Sequence, residues 1–441
     1  MKIFNLTKTT DFLDCGLTKK NPFIDFIQKS KKENNKTIND VKKIISDVKK
    51  DGDKALIKYC NKFDGTTYNE ANDFIVSKVD FDISEKTLNQ DIKNALKEAY
   101  NRIKDYHQKQ LPKNFLYKDK LGTKLGNSWR PIESIGIYVP AGTASYPSSV
   151  LMSAVPAIVS GVKKIIICTP SSCKSINPAI IYAARLCNIN TIYKVGGSQA
   201  IASMAYGTKT IKKVDKIVGP GNSYVACAKK ILFGEVGIDM IAGPTDITII
   251  ADKKNNPNWI GADALSQLEH GFDSKAFIIT DDLIFAQKIL QSINLLKEKL
   301  PRKKIIDQSL KNSAIFVINN INKSYEIANF IAPEHLEIAT KNYQSIAKKI
   351  NNAGAIFLGN YTPEAIGDYI AGPSHTLPTL GSSKFSSGLS VYDFLKRISI
   401  ISCNKESFLS LAKSTEILAE CEGFQAHKLS ITIRKNDLQT L

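Results

Sequence analysis

Arginine is scarce in this 441-residue chain: Arg102, Arg130, Arg185, Arg302, Arg397 and Arg434 are all there is among 60 basic residues. A net charge of +18 raises nucleic acid as a partner, but the guanidinium forks that grip phosphates and base edges are nearly missing. The lysines are spread along the whole length and no aromatic-basic motif gathers them. The charge therefore reads as background composition, with no nucleic acid as partner. No C-x-x-C spacing occurs among Cys15, Cys60, Cys168, Cys173, Cys187, Cys227, Cys403 and Cys421, which argues against a thiolate zinc cluster and for reduced, mostly core cysteines. Residues 1–17 carry Lys2, Lys8, Asp11 and Asp14 and no apolar signal core, so a cytoplasmic location is expected. The longest uncharged run, 134–162, holds Pro140, Pro147, Pro156 and several serines, whose polar groups lipid would leave unsatisfied; no membrane partner is expected. Neither G-x-G-x-x-G nor G-x-x-x-x-G-K-S/T is present.

What is there is an α/β rhythm. From Ile135 onward, short β-branched runs alternate with helix-length amphipathic segments. The pattern predicts strands at 134–139, 164–168, 191–195, 216–218, 247–251, 276–280, 314–318 and 355–358. Residues 37–130 read as helix, with Val41, Ile44, Ile45 and Val48 at helical spacing, and a helical tail follows Glu406. The size calls for more than one domain, and two α/β runs suggest two similarly built halves meeting near Gly243-Pro244.

Four of the five histidines stand among carboxylates, amides and glycine: Gln267-Leu268-Glu269-His270, Pro333-Glu334-His335, Asp368 with His375, and Glu422 with His427. Imidazole beside carboxylate supplies divalent-metal ligands and a proton acceptor suited to neutral pH. Gln267 and His270 lie one helical turn apart and can reach one ion, although Glu269 is the more usual ligand type and a polar helix end explains the cluster equally well. Glu334-His335, just after a proline, reads as the start of a helix or turn, either solvated or able to divide proton transfers. The fifth histidine, His107, is assigned to surface or packing. Three glycine loops, 139–144, 195–200 and 218–222, each follow a strand and precede a helix, where backbone amides can meet a phosphate or simply close a tight turn.

From Trp129 to His427 these segments resemble the histidinol dehydrogenase family. The resemblance rests on Arg130-Pro131-Ile132-Glu133, Gly136-Ile137-Tyr138-Val139-Pro140, Tyr146-Pro147-Ser148-Ser149-Val150-Leu151-Met152, Ile238-Asp239-Met240-Ile241-Ala242-Gly243-Pro244, Ala332-Pro333-Glu334-His335-Leu336-Glu337 and Phe385-Ser386-Ser387-Gly388-Leu389-Ser390-Val391. It implies oxidation of L-histidinol to L-histidine through L-histidinaldehyde with two NAD+, as the final steps of histidine biosynthesis; another zinc- and NAD-dependent amino-alcohol dehydrogenase is the alternative. It further implies one zinc per subunit on Gln267, His270, Asp368 and His427, and a homodimer in which His427 serves the neighbouring site. Thr245, Gln267, His270, His335, Asp368, His375, Glu422 and His427 become substrate contacts, Glu334 and His335 the acid-base pair, and Tyr138, Gln199 and Asn222 the NAD contacts. A thiohemiacetal route has only Cys421 near the matched segments. Ala141, Thr245-Asp246 and Ser374 depart from the usual glycine, Ser-Glu and asparagine.

The expected architecture is α/β, with two Rossmann-like parallel-sheet domains, a helical N-terminal region and a small helical C-terminal tail that exchanges across a dimer. Residues 30–133 with 245–390 form the first domain, 134–244 the NAD-binding second, and 1–29 and 391–441 the small helical terminal regions.

Overall fold

The structure, a computed structural model, describes residues 1–6, 24, 26–27, 35–141, 145–171 and 175–440. Cys15, Cys173, most of the 1–17 segment and positions 142–144 of the first glycine loop lie outside the described residues. Two units are distinguished, 1–109 with 133–393, and 110–132 with 394–441. In chain order the strands are β1 (Lys2–Asn5), β2 (Phe115–Lys118), β3 (Lys124–Pro131), β4 (Ser134–Tyr138), β5 (Lys164–Cys168), β6 (Ile192–Tyr193), β7 (Lys216–Val218), β8 (Gly237–Ile238), β9 (Asp246–Ala251), β10 (Lys275–Thr280), β11 (Ala314–Val317), β12 (His335–Ala339), β13 (Ala355–Leu358) and β14 (Leu395–Ser402).

The first unit contains two parallel sheets. One runs β6-β5-β4-β7-β8: the chain winds outward from β4 to β6, then returns across β4 to β7. The direction of winding reverses between β4 and β7, and the loops leaving their carboxyl ends part there to open a crevice. The other sheet, β1-β11-β10-β9-β12-β13, repeats the winding about β9 and β12, with β1 added parallel to β11 at its edge. All residues of β9, β11 and β12 are buried, as expected of parallel strands covered by helices on both faces. Ile260, Ala264, Leu265, Phe285 and Ile289 cover one face; Ile327, Ala328 and Ile331 cover the other.

The helices Asn35–Asp51 and Asp53–Phe63 bury Val41, Ile44, Val48 and Leu56 in one cluster with Ala200, Met204 and Ile217. Each such side chain contributes about 1.5–3 kcal/mol on leaving water. Residues 35–63, grouped from the sequence with 245–390, thus share their core with the five-stranded sheet. His107, on the helix Gln90–Lys109, is fully buried.

The second unit is a small antiparallel sheet, β14-β3-β2, followed by two helices. β14 pairs with β3 from Leu395↔Pro131 to Ser402↔Lys124. Gly126 lets β2 close in, because a Cβ there would lie 2.2 Å from the Phe115 carbonyl oxygen. Asn404 caps the helix Lys405–Cys421, its side chain accepting from Ser407 N–H, and Gly423, at φ +75°, turns the chain into the helix Gln425–Thr440. Thr432 and Lys435 both bond Glu416 and join the two helices.

The expectation of helix throughout 37–130 and in both terminal regions therefore needs correction. β2, β3 and β14 form a ladder between segments far apart in the chain, and their polar-rich sequences carry no local alternation that stands out. β1 makes residues 2–5 a sheet edge. β12 replaces the helix or turn expected at Glu334-His335. Among the described residues no helix is long and apolar enough to cross a membrane.

Candidate active site

At the carboxyl ends of the five-stranded sheet, Tyr138 meets the glycine loops 195–200 and 218–222. Tyr138 ends β4, is buried, and its Oη accepts Gly197 N–H at 3.0 Å; burial pushes its phenol above the usual range. Gln199 is buried in the first turn of the helix Gly197–Tyr206, and its Nε2 has no hydrogen-bond partner among the described residues. Asn222 starts the helix Ser223–Leu232, its Oδ1 accepting from Tyr224 N–H at 3.0 Å and Val225 N–H at 3.2 Å. Gln199 and Asn222 thus stand in the first turn or at the cap of helices whose N-termini face the glycine turns, the setting that suits phosphate and ribose oxygens.

The second cluster forms on the six-stranded sheet, at the amino ends of its strands rather than the carboxyl ends. Asp246 opens β9 and His335 opens β12, and the ladder between the two strands begins with His335 opposite Ile247, one residue beyond Asp246. The helix Pro257–Leu268 runs back from β9 and delivers Gln267 and then His270 to the same edge. The six-residue helix Glu364–Tyr369 brings Glu364 and Asp368.

Glu334 is buried; its Oε2 accepts from Thr245 Oγ1, and from Asp246 N–H at 3.2 Å. Thr245 Oγ1 in turn accepts from Gln267 Nε2, and Gln267 Oε1 is left buried with no hydrogen-bond partner among the described residues. Burial pushes the Glu334 carboxyl up to about 7. His335 Nδ1 lies 3.3 Å from the Asp246 carbonyl; that oxygen can only accept, so Nδ1 carries a hydrogen and Nε2 is the ring nitrogen at which the proton is gained or lost. Nε2 faces Asp368 Oδ1 at 3.6 Å and Glu364 Oε1 at 3.9 Å. Burial disfavours the imidazolium, but Glu334, Asp368 and Glu364 outweigh it and lift His335 to about 10. Asp368 is held well below the usual carboxylate range: burial works against this, and hydrogen bonding from His335 and the nearby His375 prevail.

His375 uses both ring nitrogens, Nδ1 on the Asp368 carbonyl at 2.9 Å and Nε2 on Ser149 Oγ at 3.1 Å. Ser149 lies on the helix Pro147–Ser160 that leaves the first crevice, so this pair of bonds ties the two clusters together. Glu364 is a site residue the sequence reading passed over. It is buried, accepts from Ser266 Oγ at 3.0 Å, and burial lifts its carboxyl to about 8. Its own amide donates to Glu337 Oε1 at 2.7 Å, which pins the short helix to β12. Nothing local marked Glu364, since it acquires its neighbours only through that helix. Ligand atoms of His270, Glu364 and Asp368 all lie within 4.8 Å of one another, a nitrogen and oxygen set suited to a borderline or hard divalent cation.

The structure thus gathers Thr245, Gln267, His270, Glu334, His335, Asp368 and His375 in the first unit. Glu422 and His427 belong to the second, where both are exposed; Glu422 follows the helix Lys405–Cys421, and the His427 ring lies 5.2 Å from that of Phe424.

Two doubly wound sheets, one with a glycine-lined crevice and the other with a histidine-carboxylate cluster, define an α/β enzyme. The chain belongs to the histidinol dehydrogenase family, an oxidoreductase family whose model matches residues 27–435. It is 46% identical over 397 residues to histidinol dehydrogenase of Rhizobium meliloti (strain 1021), covering 90% of this chain and 91% of that one. It is 44% identical over 405 residues to histidinol dehydrogenase 1 of Nostoc sp. (strain PCC 7120), with 91% and 93% covered. The crystal structure of histidinol dehydrogenase from Elizabethkingia anophelis superposes with a TM-score of 0.92 at 37% identity, over 100% of this chain and 99% of that one.

Proposed function

We propose that this protein oxidises L-histidinol to L-histidine through L-histidinaldehyde, with two NAD+ per turnover and one zinc per subunit, as a cytoplasmic homodimer. The observation that carries the reading is the pair Glu334 and His335, adjacent in sequence, buried, and directed differently by one residue, Asp246. NAD+ supplies the hydride acceptor, and the crevice beside Tyr138, Gln199 and Asn222 is its place, where Gln199 Nε2 is buried with no partner among the described residues. Zinc supplies a fixed positive anchor for a substrate that carries both an imidazole and an amine. Gln267, His270 and Asp368 are suitable holders: Gln267 Oε1 is a buried acceptor without a partner among the described residues, and His270 and Asp368 already converge. His427 of the partner subunit completes the four.

His335 takes the alcohol proton at Nε2, the one ring nitrogen its backbone bond leaves open. Glu334 then deprotonates the water that hydrates the aldehyde, since the carbonyl carbon must gain an oxygen before its second hydrogen can leave toward a carboxylate. As hydroxide adds, His335 returns its proton to the carbonyl oxygen, which completes the gem-diol and frees Nε2 to take a proton again when the second hydride leaves. Thr245, His375 and Glu364 keep these groups in place, and Glu422 of the partner subunit pairs with the substrate ammonium. A bound cation beside His335 and Glu364 favours their deprotonated forms, which suits a base.

The dimer has physical support in the second unit, where Phe115, Leu116, Ile401, Leu418, Phe424 and Leu429 are each more than half exposed. So much apolar surface on one small unit calls for a cover, and a second copy is the cover proposed. The test is an NADH-absorbance assay with histidinol, with and without chelator. Two NADH per histidinol and histidine as product are expected; one NADH with free aldehyde accumulating overturns the four-electron reading.

A further inference from the structure

Loop 219–222 of the crevice is held by a buried ion pair for which the proposed chemistry has no use. Lys229 lies on the helix Ser223–Leu232 and Asp239 just after β8, with side chains 2% and 0% exposed. Lys229 Nζ donates to Asp239 Oδ1, and to the Gly219 carbonyl at 3.0 Å. Asp239 Oδ2 accepts Gly219 N–H at 2.8 Å, and its Oδ1 accepts Met240 N–H at 2.6 Å. Both polar groups of Gly219 therefore end on the pair.

Gly219 is also where the loop rests on its neighbour. Its φ is +111°, and a Cβ there would lie 2.1 Å from the Tyr138 carbonyl oxygen. Tyr138 Oη accepts Gly197 N–H, so one line of contacts runs from the ion pair through Gly219 and Tyr138 to the next glycine loop. In the other direction Asp239 begins the segment that ends at Thr245, whose hydroxyl bonds Glu334.

An ion pair this deeply buried is a poor source of stability, because desolvating two charges costs about as much as their attraction returns, and apolar residues of similar volume serve as well. Apolar residues cannot, however, offer acceptors to two amides and a donor to a carbonyl where the β7 ladder has ended. We infer that Lys229 and Asp239 are positioning residues for the cofactor. They hold 219–222 in the shape that receives the dinucleotide and fix that loop relative to the Thr245 segment. The inference rests on the reading of the crevice as the NAD+ site.

The test is NAD+ binding to the full-length protein by titration calorimetry, alongside thermal unfolding. Lys229→Met combined with Asp239→Asn leaves no lone charge buried, so the double variant should unfold near the wild-type temperature. Its NAD+ affinity should still fall about tenfold or more, while KM for histidinol moves less than about threefold. A double variant that binds NAD+ as the wild type does overturns the inference. A wild type that binds no NAD+ overturns the cofactor reading itself, and the inference with it. Should the double variant not fold, amide exchange in the wild type decides: Gly219 and Met240 should exchange as slowly as Ile217 of β7, equally with and without NAD+. Fast exchange that slows only when NAD+ is added means the loop is not pre-shaped and defeats the proposal.

Discussion

The peptide groups of Asp246 orient both members of the proposed acid-base pair: its N–H donates to Glu334 Oε2 at 3.2 Å, and its carbonyl oxygen lies 3.3 Å from His335 Nδ1. Asp246 is the first residue of β9, and β9 pairs with β12 immediately beyond it. Backbone in a buried parallel sheet is the least mobile support a protein has, so the tautomer of His335 and the direction of Glu334 are set by the fold.

Because the two side chains point differently, their removal should not be equivalent. Glu334→Gln is expected to slow the aldehyde-to-acid half by about a hundredfold or more and the alcohol half much less, whereas His335→Asn damages both. Each half is measured separately, starting from histidinol and from histidinaldehyde. Equal slowing of both halves by Glu334→Gln would refute the division of roles.

The Glu334 environment also has a signature in stability. Burial raises its folded pKa to about 7 from the ordinary 4.5, so the folded state holds the proton more tightly than the unfolded state does. Its favourable contribution is full below about pH 4.5 and is lost as pH rises through about 7, a change of about 3 kcal/mol. Gln at 334 is neutral throughout and escapes the loss. In metal-free protein, the unfolding temperature of Glu334→Gln relative to wild type should therefore be higher at pH 8 than at pH 5. The same difference at both pH values would mean that Glu334 is not buried as a proton-holding acid.

Much of the sheet framework is legible in the residues themselves. β5, β7 and β13 begin and end where their β-branched runs do. β12 is less legible because Glu337 interrupts its apolar run; in the fold, burial pushes that carboxyl well above the usual range and its Oε1 accepts from the Glu364 amide. The histidine-carboxylate cluster is harder still. Open α/β sheets usually bind ligands at the carboxyl ends of strands, whereas Asp246 and His335 stand at amino ends, so a reader following strand ends finds the glycine crevice and misses the other half. Ligand type alone also favours Glu269, which caps its helix, over Gln267, which reaches Thr245; the family resemblance points to Gln267 instead. Glu364 had neither spacing nor motif to announce it. The antiparallel ladder of β3 and β14 joins residues whose partners no local window contains.

The net charge of +18 is expected to have little functional meaning. Duplex DNA should be retained weakly at low salt and released near physiological ionic strength, with no sequence preference. Binding at about nanomolar concentration at that salt, selective for sequence, would overturn this reading.

The shared-site proposal can be tested by mixing defects. Two inactive variants, His335→Asn and His427→Asn, are co-expressed with different tags so that subunits assort. If His427 serves the neighbouring site, a mixed dimer has one site built from the intact His335 of one chain and the intact His427 of the other, and a second site carrying both defects. Random assortment makes half of the dimers mixed, each with one good site of two, so activity should recover to about a quarter of wild type. If His427 serves its own chain, each site keeps one defect and mixing restores nothing. In the shared-site case, tandem affinity purification of the mixed dimers should raise the recovery to about half, because every purified molecule carries one complete site. Purified mixed dimers without activity would remove His427 from the neighbouring site, while zinc content measured on the same sample shows independently whether Gln267, His270 and Asp368 still hold the ion.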